Sequence, residues 1–114
     1  MSKSSIEYLK HIRDELEYLE KASAELDKDK FINNLTLQRA FTRSLEIIGE
    51  ATKNLPSDFK DKYSYLDWKS MAGMRDKLIH HYFGVDYDIV WDVVINEAPK
   101  LKKQISDLLQ NLKP

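Results

Sequence analysis

Leu35-Thr36-Leu37-Gln38-Arg39-Ala40-Phe41-Thr42-Arg43-Ser44-Leu45-Glu46-Ile47-Ile48-Gly49-Glu50-Ala51-Thr52-Lys53-Asn54, stopped two residues later by Pro56, decides the fold class. Leu37, Ala40, Phe41, Ser44, Leu45, Ile48 and Ala51 recur at steps of three and four, the period of an α-helix. They cover a wide face, as expected of a helix with neighbours on more than one side. Opposite them Arg39, Arg43, Glu46, Glu50 and Lys53 form one continuous polar stripe. A solvated face laced by pairs four residues apart explains such a stripe, and explains Lys53 best. For Arg39, Arg43 and Glu50, lining a polar cleft is the functional alternative.

The helical period continues on both sides. Upstream, Ser4-x-x-Glu7 has the form of a capping box, and Ile6, Leu9, Ile12, Leu16, Leu19 and Leu26 mark one buried stripe. Asp27-Lys28-Asp29-Lys30 breaks that pattern, and Asn33-Asn34 breaks it again. Downstream, a helical turn is expected around residues 57–62, and Asp67 is placed to cap a helix packed through Trp68, Met71, Met74 and Leu78. The two methionines read as core fillers. Gly84 stands where a glycine ends a helix, and Asp86 where a cap opens the next. The last segment carries Ile89, Val90, Val93, Val94, Leu101, Ile105, Leu108 and Leu112, and Pro99 predicts a kink or a restart near Asn96. All connections are short. The expectation is all-α: residues 1–114 as a single domain, an antiparallel bundle of four to five helices.

Composition agrees and excludes several function classes. Hydrophobic residues at 42% and charged residues at 32% fit a globular chain rather than a disordered one. The absence of cysteine removes disulfides, thiolate metal sites and cysteine nucleophiles. No apolar run is long enough to span a membrane and no signal-peptide pattern opens the chain, so a cytoplasmic protein without a membrane partner is expected. A formal net charge of −1 argues against a general nucleic-acid-coating protein. The charge is nonetheless sorted along the chain. Residues 14–29 hold seven acids against two bases, whereas residues 56–82 hold five bases, four acids and two histidines. An anion site is therefore expected around the second stretch.

Within it runs Arg75-Asp76-Lys77-Leu78-Ile79-His80-His81-Tyr82. Cleaving RNA through its own 2′-hydroxyl needs a base, an acid and cations that hold the phosphate oxygens. An imidazole, the side chain of His80, has a reference pKa near neutrality and suits either proton-transfer role. Arg75 offers a planar fork of donors that lysine cannot reproduce. Five residues along an ideal helix turn about 140°, so Arg75 and His80 do not share a face of one straight helix. A two-fold dimer would bring two arginines and two histidines to one cleft, supplying both an acid and a base. Tyr82, about 20° short of two full turns from Arg75, can stack on a base or meet a phosphate, or pack at an interface. His81 has no evident role, and His11 reads as a surface residue. No zinc-ligand spacing and no glycine-rich phosphate loop is present, so neither a metal nor another cofactor is expected.

Taken with its setting, this motif resembles that of the HEPN-domain ribonuclease toxins of the HepT family. The likeness extends over Arg39-Ala40-Phe41, Ser44 to Ala51 with its Ile48-Gly49-Glu50-Ala51 core, Asp67-Trp68, Met71 to Asp86, Trp91, and Pro99-x-Leu101. The resemblance implies a HEPN-type bundle that forms a homodimer and cleaves RNA without metal, with Arg75 and His80 catalytic. It implies the toxin half of a type VII toxin–antitoxin pair. The antitoxin, a minimal nucleotidyltransferase of the MntA kind, would attach AMP to Tyr82. Arg43, Glu50 and Asp76 are further candidates for lining the site. Asp76 departs from the asparagine often found after the arginine and adds negative charge there. Two other readings compete: a non-catalytic helical partner of the nucleotidyltransferase, and a plain helical interaction module.

Overall fold

The computed structural model of the chain describes residues 3–74, 76 and 84–112. It is all-α, as the sequence implies. Helix α1 spans Lys3–Ser23, α2 Lys28–Ile32, α3 Leu35–Lys53, α4 Ser57–Lys62 and α5 Trp68–Ala72. Helix α6, Tyr87–Asp92, passes through a π-helical segment, Val93–Glu97, into α7, Ala98–Leu112.

In α1 the expected stripe is buried, with Leu9, Ile12, Leu16 and Leu19 fully enclosed. The helix starts a residue before Ser4, which therefore lies in its first turn rather than at a cap. It also ends at Ser23, short of Leu26. There the chain turns, the Leu26 amide donating to the Ser23 carbonyl at 3.1 Å, and Leu26 returns to pack against the core from outside the helix.

Helix α2 is an element the sequence pattern does not announce. The supposed breaker Asp27 is its cap, accepting from the Lys30 amide at 2.8 Å. This single helical turn buries Phe31, which stacks on Phe41 with ring centroids 5.0 Å apart and on Trp91 at 5.3 Å. The Gln38 amide side chain then donates to the Ile32 carbonyl at 2.6 Å, closing the corner into α3.

Helix α3 matches its expected bounds to within a residue. Asn34 caps it by accepting from the Leu37 amide, and Asn54 follows its last turn. Helices α1 and α3 are antiparallel neighbours: Ser44 Oγ donates to Glu15 at 2.8 Å, while Tyr18 meets the edge of Phe41 with ring centroids 6.1 Å apart. Residue numbers thus rise along one helix as they fall along the other.

A kink or restart was expected near Asn96; the chain does not restart there but runs on as helix through a π-helical segment that contains Asn96. Val93 (φ −61°, ψ −45°) and Ala98 (φ −58°, ψ −41°) both keep helical dihedrals at the ends of the π segment. Pro99 has no amide hydrogen for the carbonyl four residues back, so the α ladder cannot run unbroken through it. A turn of wider π pitch precedes the proline and absorbs the defect without breaking the column. Lys102 Nζ donates to Glu20 Oε1 at 2.5 Å, tying α7 to α1. That hydrogen bond raises the Lys102 ammonium above its ordinary pKa.

Residues from all these elements join one buried apolar cluster. Among the described residues no helix is long and apolar enough to cross a membrane.

Candidate functional site

The candidate site residue Arg75 follows α5 in the sequence, so α5 is the nearest described element before it. Asp67 caps this helix as expected, accepting from the Ser70 amide at 3.0 Å and from Ser70 Oγ at 2.7 Å. Trp68 anchors the corner before it: its indole N–H donates to the Tyr63 carbonyl at 3.0 Å while the ring is buried. Met71 and Met74 are buried, which agrees with their reading as core residues.

The motif helix is not continuous from Asp67 onward. Helix α5 stops after five residues, and Gly73 takes the closing position with its amide donating to the Lys69 carbonyl at 3.0 Å. Helical geometry resumes at Met74 and Asp76. Glycine weakens a helix interior by about 1 kcal/mol relative to alanine, which favours the break at this point. The backbone is also tight there, for a Cβ on Gly73 would lie 3.3 Å from the Lys69 carbonyl oxygen.

Gly49 sets how closely α5 approaches α3. A Cβ at this position would lie 3.3 Å from the Ala72 carbonyl oxygen and 3.5 Å from that of Met71. These are backbone atoms of a capped helix and yield less readily than a side-chain tip. Gly49→Ala is therefore expected to destabilise the protein by about 1–2 kcal/mol despite alanine's better helix propensity, measured as a lower urea midpoint. A higher midpoint would mean that α5 is not held against α3 at this contact.

Arg75, His80 and Tyr82 lie outside the described residues, as do Leu78 and His81. Asp76 is exposed and forms no ion pair among the described residues. On α3, Arg43 and Glu50 do meet, Nη1 to Oε1 at 4.0 Å, with about 60% of each side chain exposed. So loose and solvated a pair contributes about 0–1 kcal/mol. Its charges remain available to another partner. Arg39 and Lys53 are exposed, and neither forms an ion pair among the described residues. Gly84 takes a left-handed φ of +81°, a conformation glycine adopts without strain. Asp86 then caps α6 by accepting from the amides of Asp88 and Ile89.

One feature escapes the linear reading. Lys60 at the end of α4 and Lys69 in α5 border a single surface depression with Ser64 and Trp68 between them. Only the α4–α5 turn brings the lysines together, and no sequence spacing signals it.

The described residues form an all-helical bundle, and in sequence the capped helix α5 and Gly73 come just before Arg75, His80 and Tyr82. The family model described as ribonuclease HepT-like matches residues 12–108, and the chain belongs to that family. Its enzyme class is that of an endoribonuclease.

Among its relatives is a candidate RNase of Caldanaerobacter subterraneus subsp. tengcongensis, 51% identical over 106 residues, covering 93% of this chain and 95% of the relative. A protein of Thermococcus cleftensis named "probable ribonuclease HepT" is 43% identical over 108 residues, covering 95% of this chain and 98% of the relative. A candidate RNase of Methanocaldococcus jannaschii is 52% identical over 84 residues, covering 74% of this chain and 69% of the relative. No solved structure matches the chain.

Proposed function

We propose that this protein is the toxin of a toxin–antitoxin pair, an endoribonuclease that cuts RNA without a metal ion at a site composed by two copies of the chain. Arg75 grips the scissile phosphate through its guanidinium fork. One His80 removes the 2′-hydroxyl proton as that oxygen attacks phosphorus, and the partner's His80 protonates the departing 5′-oxygen. The bond from phosphorus to the 5′-oxygen breaks, leaving a 2′,3′-cyclic phosphate and a free 5′-hydroxyl. Arg43, Glu50 and Asp76 border the RNA path. The observation that carries this reading is the family match through residues 12–108, which encloses the whole motif.

Regulation follows from the same residues. A minimal nucleotidyltransferase of the MntA kind transfers AMP to Tyr82, placing a phosphate and a bulky nucleoside beside Arg75, where they compete with RNA. The setting is the cytoplasm.

The purified, unmodified protein is expected to cut single-stranded RNA in EDTA and to leave cyclic phosphate ends, read by end-group analysis of the fragments. Failure to cut any RNA would leave the alternative, a non-catalytic helical partner and substrate of the nucleotidyltransferase. The exposed carboxylate of Asp76 beside the motif favours that second reading, because it opposes a phosphate.

A further inference from the structure

We propose that the corner between α4 and α5 is a second RNA contact, a platform that holds single-stranded RNA away from the Arg75–His80 motif. The inference takes its ligand class from the ribonuclease reading. Its geometry stands independently.

Three observations converge. First, Tyr65 at the tip of this corner is 63% exposed, the most exposed large apolar side chain among the described residues. Among the described residues it has no ring contact or hydrogen bond. Its aromatic neighbours are engaged: Phe59 packs on Tyr63 at 4.9 Å and on Trp68 at 6.1 Å between ring centroids.

Second, the corner is rigid. The Leu66 amide donates to the Tyr63 carbonyl at 3.2 Å and the Trp68 amide to the Leu66 carbonyl at 3.0 Å, so Tyr65 is presented by hydrogen-bonded turns. Little backbone entropy remains to be lost on binding, so the main ordering cost is the Tyr65 ring itself.

Third, Lys60 and Lys69 flank a depression of about 390 Å³ that Ser64 and Leu66, the chain neighbours of Tyr65, also line. Neither lysine forms an ion pair among the described residues.

An exposed ring beside two ammonium groups that form no ion pair among the described residues is the combination that binds single strands without reading sequence, the base stacking while the cations track phosphates. The acids at the rim set a limit. Asp67 is committed to capping α5, but Asp61 also borders the depression and opposes a phosphate.

The test uses a fluorescein-labelled single-stranded oligoribonucleotide with methylated 2′-hydroxyls, which cannot be cut through them. Its binding to the full chain is followed by anisotropy across salt concentrations. Tyr65→Ala is expected to weaken binding roughly tenfold, the low to middle range for loss of one stacked base. Lys60→Ala with Lys69→Ala is expected to lower the slope of log affinity against log salt by about 1.4, the signature of two lost single-strand phosphate contacts. Asp61→Asn is expected to tighten binding. On cleavable RNA the tyrosine and lysine variants raise KM and leave kcat unchanged, and their melting temperatures match wild type. Wild-type affinity and slope in the tyrosine and lysine variants would overturn the platform, even with cleavage intact. Loss of binding in those variants without any RNA cleavage by wild type would instead uphold the platform and remove the ribonuclease reading.

Discussion

Alanine in place of His80 is expected to slow RNA cleavage by about 10²–10⁴-fold, the range for losing a positioned proton-transfer group. The loss should fall on kcat, because the imidazole acts as the phosphorus–oxygen bonds are made and broken. Arg75→Ala is expected to be comparably damaging. Arg75→Lys separates two roles: lysine restores the charge but not the paired donors, so partial recovery would assign charge alone to Arg75 and no recovery would assign the fork. Histidine chemistry also requires an activity profile that depends on pH near neutrality. Initial rates on a fluorogenic RNA in EDTA would measure all of this. His80→Ala cutting at the wild-type rate would remove His80 from the mechanism.

The largest expected loss of stability is elsewhere, at Phe31. Its ring is fully buried, stacked on Phe41 and Trp91 and approached edge-on by Tyr87 with centroids 6.4 Å apart. Truncation to alanine leaves a cavity that only a rearrangement of α2, α3 and α6 could close, at a cost of about 3–5 kcal/mol. Five residues cannot sustain a helix alone, so this anchor and the Asp27 cap hold α2 in place. Leu35→Ala is the control. That side chain is 59% exposed, and the change should stay within about 0.5 kcal/mol. Urea melts of the two variants decide the matter. A deficit below 1 kcal/mol for Phe31→Ala would show that the aromatic stack does not hold this corner.

How much of this was legible in the chain varies with the kind of signal. Helix α3 and the caps at Asp67 and Asp86 depend on local period and local hydrogen bonds, both visible in linear order. Asn34 and Asp27 show the limit, for both first read as breakers although their side chains open helices. Phe31 offers no repeat in a single turn, and its value comes from Trp91, distant in sequence. The break at Gly73 was hidden because apolar spacing continues through Met71 and Met74 on either side. Pro99 did announce a disturbance, but not that a π turn would absorb it.

The candidate site divides in the same way. Arg75, His80 and Tyr82 were legible from residue types in a fixed order within a familiar setting. The exposed charges of Arg43 and Glu50 fit a polar stripe equally well with or without RNA. The pairing of Lys60 with Lys69 needed the folded corner.

The placement of the two tryptophans has a practical consequence. Trp68 is locked to the Tyr63 carbonyl at the α4–α5 corner, and Trp91 lies against Phe31 at the opposite junction. The molecule therefore carries two intrinsic fluorophores reporting on different neighbourhoods. Single-tryptophan variants would show whether these regions melt as one cooperative unit, and the Trp68 emission would give a label-free optical signal beside the proposed platform.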